Sequence, residues 1–277
     1  MTMLSINTNV GALQAASASY SVNKSMETSM QRLSTGKRIN SSADDAAGHQ
    51  IVNRMTAEIQ GLKMNIRNAA DAQALLSTAE GAMEEIQTML LRLRELAVQS
   101  SNGTNTTMDR AAIQSEVDAL EAEISRISNN TTWAGLQLLD GSLSGGITFQ
   151  VGPDSGQTLV HSIAEMANTA ATIGLSTANT VGTLALAGAY ITQIDAALSG
   201  VATEREQIGS VINRLDHTIA NLNNVATNLA LAKGRIEDAD FAAETSNLAR
   251  TQVLQQASMA MLAQANASKQ NILSLFQ

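Results

Sequence analysis

Between Ile191 and Leu229 the apolar residues recur at alternating spacings of three and four: Ile191, Ile194, Leu198, Val201, Ile208, Ile212, Leu215, Ile219, Leu222 and Leu229. A helix that keeps this repeat lays those side chains along one seam, so a second helix must lie against it. Arg205 and Ala226 fall on the same seam and are the weak points of its register. Unbroken, the segment would extend about 58 Å at ~1.5 Å per residue, well beyond a typical globular helix. The expected fold is mainly α: a long antiparallel helical coiled-coil rod.

The supply of hydrophobic residues fits that expectation. They make up 44% of the 277 residues, yet aromatics are only 2%, and aliphatic and small side chains suit helix against helix. A single proline, Pro153, leaves both halves free for long helices. A net charge of −8 argues against nucleic acid as the main partner, because phosphate binding needs a basic face. With no cysteine there is no disulfide, thiolate metal site or cysteine nucleophile. The first residues, MTMLSINTNVGALQAA, lack a basic start and a continuous apolar run, so export is expected without a cleaved signal peptide. No stretch approaches the ~20 apolar residues of a membrane span, so no membrane insertion is expected.

Along the chain, Ile6, Val10, Leu13 and Tyr20, continued by Met26, Met30 and Leu33, mark a first amphipathic helix that stops at Thr35-Gly36-Lys37. Asn40-Ser41-Ser42 reads as a turn and cap before Ala43-Asp44-Asp45-Ala46. Helices are predicted over 46–99, 107–129 and 185–233, the first two joined by the polar loop Ser100–Thr107 and packed as an antiparallel pair. A β-hairpin region is predicted at about 134–172, with turn signals at Asp140-Gly141 and Gly145-Gly146, and a brief helix over Ala164–Thr172. Gly234 interrupts the seam, and the run Arg235–Asp240 restarts a last helix carrying Phe241, Leu248, Leu254, Met261, Leu262, Ile272 and Leu275. The two terminal helices, of similar length, are expected to pair with each other.

At this point the residues carry a resemblance. Ser5-Ile6-Asn7-Thr8-Asn9, Leu33-Ser34-Thr35-Gly36-Lys37-Arg38-Ile39-Asn40, Ser42-Ala43-Asp44-Asp45-Ala46-Ala47-Gly48, Asn53-Arg54-Met55 and Arg94-Glu95-Leu96-Ala97-Val98-Gln99-Ser100 stand in order in the first half. Ser246-Asn247-Leu248, Leu254-Gln255-Gln256-Ala257, Leu262-Ala263-Gln264-Ala265-Asn266 and Asn271-Ile272-Leu273-Ser274-Leu275 follow near the other end. The chain resembles a bacterial flagellin across nearly its whole length. The resemblance implies a filament-core domain of paired terminal helices (1–45 and 234–277), with a rod domain (46–233) around it. Outer variable domains are expected to be missing, because only about 174–187 separates the hairpin region from the seam helix. The implied function is a structural subunit of an extracellular filament that drives swimming. The implied partners are other copies of the chain, flagellar cap and hook-associated proteins, an export chaperone at the C-terminal helix and an innate immune receptor of the Toll-like class. A hook–filament junction protein is the close alternative, and a secreted ligand or adhesin acting as a monomer is a third reading.

The residues expected to pack the filament core are Ile6, Val10, Leu13, Leu33, Leu248, Leu254, Leu262, Ile272 and Leu275. Many neighbouring positions are Ala, Ser, Asn or Gln, and a lone pair of such helices is marginal in water, so both ends are expected to order only when other copies bury them. Arg92, Arg94, Glu95, Leu96 and Glu116 are the candidate subunit or receptor contacts; Arg92, Leu96 and Glu116 match positions at which the receptor binds similar flagellins. An enzyme is not expected. His49, His161 and His217 form no metal motif, and no cofactor is implied. The pairs Asp44-Asp45 and Glu237-Asp238, with Asp240, sit at helix starts, where capping explains a carboxylate better than acid–base chemistry.

Overall fold

The computed structural model describes residues 8–175 and 181–274. They form helices α1 (Val10–Thr35), α2 (Ala46–Ser100) and α3 (Thr107–Asn130), strands β1 (Thr132–Trp133), β2 (Leu136–Gln137), β3 (Ile147–Gln150) and β4 (Thr158–His161), then helices α4 (Leu184–Glu237) and α5 (Phe241–Ser274). The class is mainly α with two small antiparallel strand pairs. Gln60–Ala226 is one compact unit, and Met1–Ile59 with Thr227–Gln277 is the other.

Within Gln60–Ala226 the seam of α4 meets α2. Leu76, Met83, Ile86, Leu90 and Leu93 of α2 share one buried cluster with Ile194, Val201, Ile208 and Leu215 of α4, joined by Val117 and Ile124 of α3. Polar pairs fix the direction of the helices. Arg94 reaches Asp195 at 2.7 Å, Glu80 reaches Arg205 at 2.5 Å and Gln73 reaches Asp216 at 2.7 Å, so α2 and α4 run antiparallel. Arg205, the charge on the seam, lies against α2 with its guanidinium bound to Glu80 and Gln87. Arg110 likewise holds the turn between α2 and α3, donating to the carbonyls of Ser100, Asn102 and Asn105 and so satisfying acceptors that a helix end leaves open. Thr106 and Asp109 form a reciprocal capping box at the start of α3. Against the sequence expectation, α4 contains a window apolar enough by composition to cross a bilayer, with a mean hydropathy of 1.3. Its buried residues Ala187, Tyr190, Ile194, Ala197 and Val201 instead belong to the helical core.

The strands differ in detail from expectation. β1 and β2 are two residues each, joined across Ala134 and Gly135, both at positive φ, as a tight hairpin turn requires. β3 pairs with β4 from Ile147↔His161 to Gln150↔Thr158, so the hairpin turns around Pro153 and Gly156. The glycines at 141 and 145–146 instead shape the loop that delivers the chain to β3. No helix forms over Ala164–Thr172. The segment folds as successive turns held by Met166 donating to the Leu139 carbonyl and Leu175 to that of Asn168, with Ile163, Met166 and Ile173 anchored in the core.

In the other unit α1 and α5 pair antiparallel. Asn9 donates to the Ala265 carbonyl at 3.1 Å, Gln255 to Asn23 at 2.8 Å, and Arg32 to Glu244 at 3.1 Å. Gly36, at φ 71°, closes α1 in the left-handed conformation. The two polar connectors then lie side by side: Arg38 donates to the Glu237 carbonyl, Ala239 to that of Gly36, and Lys37 meets the Glu237 carboxylate at 2.5 Å. Gly234 does not end α4, which runs on to Glu237; the restart comes at Asp240, whose carboxylate accepts from Ala242 and Ala243. Asp44 and Asp45 also cap. Asp44 accepts from Asn40 and Ser41, bonds that hold its carboxyl below the usual range, and Asp45 accepts from Gly48. A Cβ at Gly48 would lie 2.5 Å from the Asp45 carboxylate and 2.7 Å from Ile39, so a larger residue there must displace the Asp45 cap or the Ile39 side chain.

Two buried polar contacts give stability tests. Tyr190 donates to Glu121 at 2.6 Å, and burial, only partly offset by that bond, raises the Glu121 carboxyl. Tyr190→Phe is expected to cost about 1–3 kcal/mol in urea unfolding at neutral pH, with the loss shrinking in acid, where a neutral Glu121 needs no donor. Burial lowers the imidazolium pKa of His161, against the attraction of Glu204, and its Nε2 is without a partner. A depressed histidine favours the neutral form in the fold, so this contribution is complete above pH ~6.5 and is lost as pH falls from there through the lowered folded value. Unfolding measured from pH 7 to 5 should lose that slope in His161→Phe.

Candidate assembly surface

The two unlike surfaces lie on different parts of the chain. On α1 only Ser29 is buried, whereas Val10, Leu13, Tyr20 and Met30 are exposed. On α5 Phe241, Val253, Leu254, Met259 and Met261 are exposed as well. The reason is in the distribution of residues: apolar side chains are spread around the whole circumference of α5 instead of forming one stripe. One partner helix can cover only one side of such a helix, and a helix apolar all round belongs in an interior. Among the expected core-packing residues, Leu33, Leu248 and Leu262 are half-buried between the paired helices, while Val10, Leu13 and Leu254 are exposed. Ile6 and Leu275 lie outside the described residues, as does the side chain of Ile272.

Between the helices runs an open groove of about 580 Å³, lined by Gly11, Ala15, Ala18, Leu254, Ala257 and Met261 among others. Small residues on α1 leave room there that side chains of α5 do not fill. Tyr20, Met30 and Met261, read from sequence as apolar positions of the terminal helices, extend the exposed apolar surface beyond the expected core-packing residues, and Val253 and Met259 extend it beyond any residue named from sequence. The missing amphipathic stripe on α5 was the signal that could have identified Val253 and Met259.

The second surface is on α2 and α3. Arg92 donates to Glu116 at 2.8 Å and to Glu95 at 3.0 Å, bonds that raise its pKa, with Glu116 contributing most. Arg94 is drawn across to Asp195 on α4. All these side chains are exposed, but Leu96 is 2% exposed and belongs to the helical core. Its side chain holds the helices together; the surface beside it is made by Leu91, Arg94, Glu95, Val98 and Gln99, which line a shallow depression. Leu91 and Val98 lie off the buried α2 seam and were not singled out from sequence. The histidines are spread over α2, β4 and α4, and among the described residues no three acidic or histidine side chains converge as a metal site.

Exposed ion pairs contribute little, so Arg92→Ala and Arg94→Ala should each shift the unfolding free energy of the isolated chain by less than about 1 kcal/mol. Val253→Asn, on the open face of α5, should shift it by less than about 0.5 kcal/mol. Urea titrations of the three variants check both values.

Comparison with known proteins fits this geometry. Residues 6–144 match the family model described as the bacterial flagellin N-terminal helical region, and residues 191–276 match that of the bacterial flagellin C-terminal helical region. A flagellin of Halalkalibacterium halodurans is 40% identical over 98% of this chain and 99% of its own length. The flagellin of Bacillus subtilis is 37% identical over 98% and 99% respectively. Among solved structures, the crystal structure of Bacillus cereus flagellin is 34% identical, with a TM-score of 0.50, covering 60% of this chain and 94% of that one.

Proposed function

The chain belongs to the bacterial flagellin family, and from that premise we propose how it works as a subunit of the flagellar filament. It is a structural protein that polymerises with copies of itself into the extracellular filament that serves motility. The terminal unit is the assembly device: α1 and α5 form a filament core, and the helices of Gln60–Ala226 form a separate rod domain. The observation that carries this reading is the apolar surface of α1 and α5 left open by their pairing. Further copies of the chain supply what one partner helix cannot. The exposed Val10, Leu13 and Leu254 become core residues of the polymer, and burying each such side chain is worth roughly 1.5–3 kcal/mol. Ile6, Ile272 and Leu275 are assigned to the same packing.

Coupling follows from the same energetics. A lone α1–α5 pair is marginal and takes fixed packing when neighbours cover it, which confines growth to a filament end. A head-to-tail contact that does not close on itself gives an open helical polymer. The flagellar cap and hook-associated proteins meet the same terminal unit at the two ends of the filament, and an export chaperone covers α5 before assembly. The Arg92–Glu95–Glu116 cluster with Arg94 serves as a subunit contact and, on the free chain, as the surface read by a Toll-like receptor. No observation favours a hook–filament junction protein.

Seeded growth tests the central reading. Full-length protein should elongate short filament fragments, seen by negative-stain electron microscopy, and a chain ending at Lys233 should not; equal elongation by both would contradict it. For the receptor surface, Arg92→Ala with Glu116→Ala should reduce the response of a receptor reporter cell at least about tenfold, the scale of two lost charge-assisted contacts. An unchanged response would remove that role.

A further inference from the structure

The described methionines range from fully buried to largely exposed, with Met26, Met55 and Met89 in between. Met83 and Met166 are fully buried in the inner core, whereas Met261 is 64% exposed and lines the groove between α1 and α5 beside Leu254 and Ala257. Met108, at the start of α3 in the other unit, is 85% exposed and is not among the residues that line that groove. Thioether oxidation follows exposure, and the sulfoxide replaces an apolar side chain with a polar one. At Met108 that change stays in water. At Met261 it falls on a surface that, on the filament reading given above and on which this inference rests, must be desolvated when another copy is added.

We propose that Met261 is an oxidation-sensitive modification site that controls entry into the polymer. The reagent is a two-electron oxidant of the peroxide class. The Met261 sulfur attacks the terminal peroxide oxygen, the O–O bond breaks as the S–O bond forms, and the peroxide leaves as water after a proton shift. Sulfur is oxidised to the sulfoxide and the peroxide is reduced. The reverse step takes a dithiol reductant of the methionine sulfoxide reductase class, which becomes a disulfide as the oxygen departs as water. Once a chain is incorporated the groove is covered, so the modification acts on free subunits and spares the finished polymer.

A partition experiment on the full chain tests this. Free protein is treated with substoichiometric hydrogen peroxide, quenched and offered to filament seeds, and sulfoxide is quantified at each methionine by peptide mass spectrometry in the pelleted polymer and in the supernatant. Met261 sulfoxide should be depleted in the polymer by about fivefold or more, the scale set by desolvating one polar group without a full partner. Met108 sulfoxide should divide equally between the fractions. In parallel, Met261→Leu should keep elongating after an oxidation that stops the unsubstituted chain, and reductase treatment should restore the latter. Equal partition of Met261 sulfoxide overturns the proposal, as does a Met261→Leu protein that grows untreated yet stops after oxidation. Failure of the untreated full chain to elongate seeds overturns the filament reading itself, and with it this inference.

Discussion

The contact between α2 and α4 is the interaction on which the rest of the chain depends. A repeat of apolar residues on α4 meets Leu76, Met83, Ile86, Leu90 and Leu93 of α2, and α3, the β3–β4 hairpin and the turns after β4 share that core. The seam would tolerate sliding if it were apolar throughout. Arg205 limits this, because a guanidinium on a seam must find acceptors, and Glu80 with Gln87 supply them in one alignment only. The same alignment brings Arg94 to Asp195 and Gln73 to Asp216. Exposed pairs of that kind add little stability, yet they agree on one register.

The terminal unit obeys the opposite rule. Its cross-helix contacts are a few polar bonds and the half-buried Leu33, Leu248 and Leu262, and many of its other apolar residues are left in solvent. The division of labour follows from residue distribution. A helix with one apolar stripe completes its packing inside one chain, as α4 does with α2. A helix whose apolar residues are scattered among polar ones on every side, such as α5, leaves some of them uncovered by a single partner and buries them only inside something larger. The fold is finished in one unit and unfinished in the other, and polymerisation is the consequence.

Much of this was legible in the sequence. Helix periodicity located α2, α3 and α4 closely, because their apolar spacing is a local signal, as is the Gly36 stop of α1. The turns were harder. Gly141 and Gly145-Gly146 look like hairpin corners, but the corner forms at Pro153 and Gly156, since strand register is set by which residues, such as Leu159 and His161, face the core. Ala164–Thr172 has helical composition, yet its backbone donors are drawn to distant carbonyls such as that of Leu139. Gly234 was expected to end α4, but a glycine costs a helix only ~1 kcal/mol, and the connector contacts at Glu237 outweigh it. Of the candidate surface, Arg92 and Glu116 were named through the family resemblance, and the fold joins them in one ion pair. That Leu96 faces inward and Leu91 and Val98 outward depended on the packing of α2 against its neighbours.

Assembly requires that α1 and α5 acquire fixed packing from other copies of the chain. Amide hydrogen exchange on free chains and on filaments measures this most directly. The predicted result is rapid exchange along α1 and α5 in the free chain, strong protection of both in the filament, and strong protection of the α2–α4 core in both states. Equal protection of α1, α5 and the core in the free chain would contradict it.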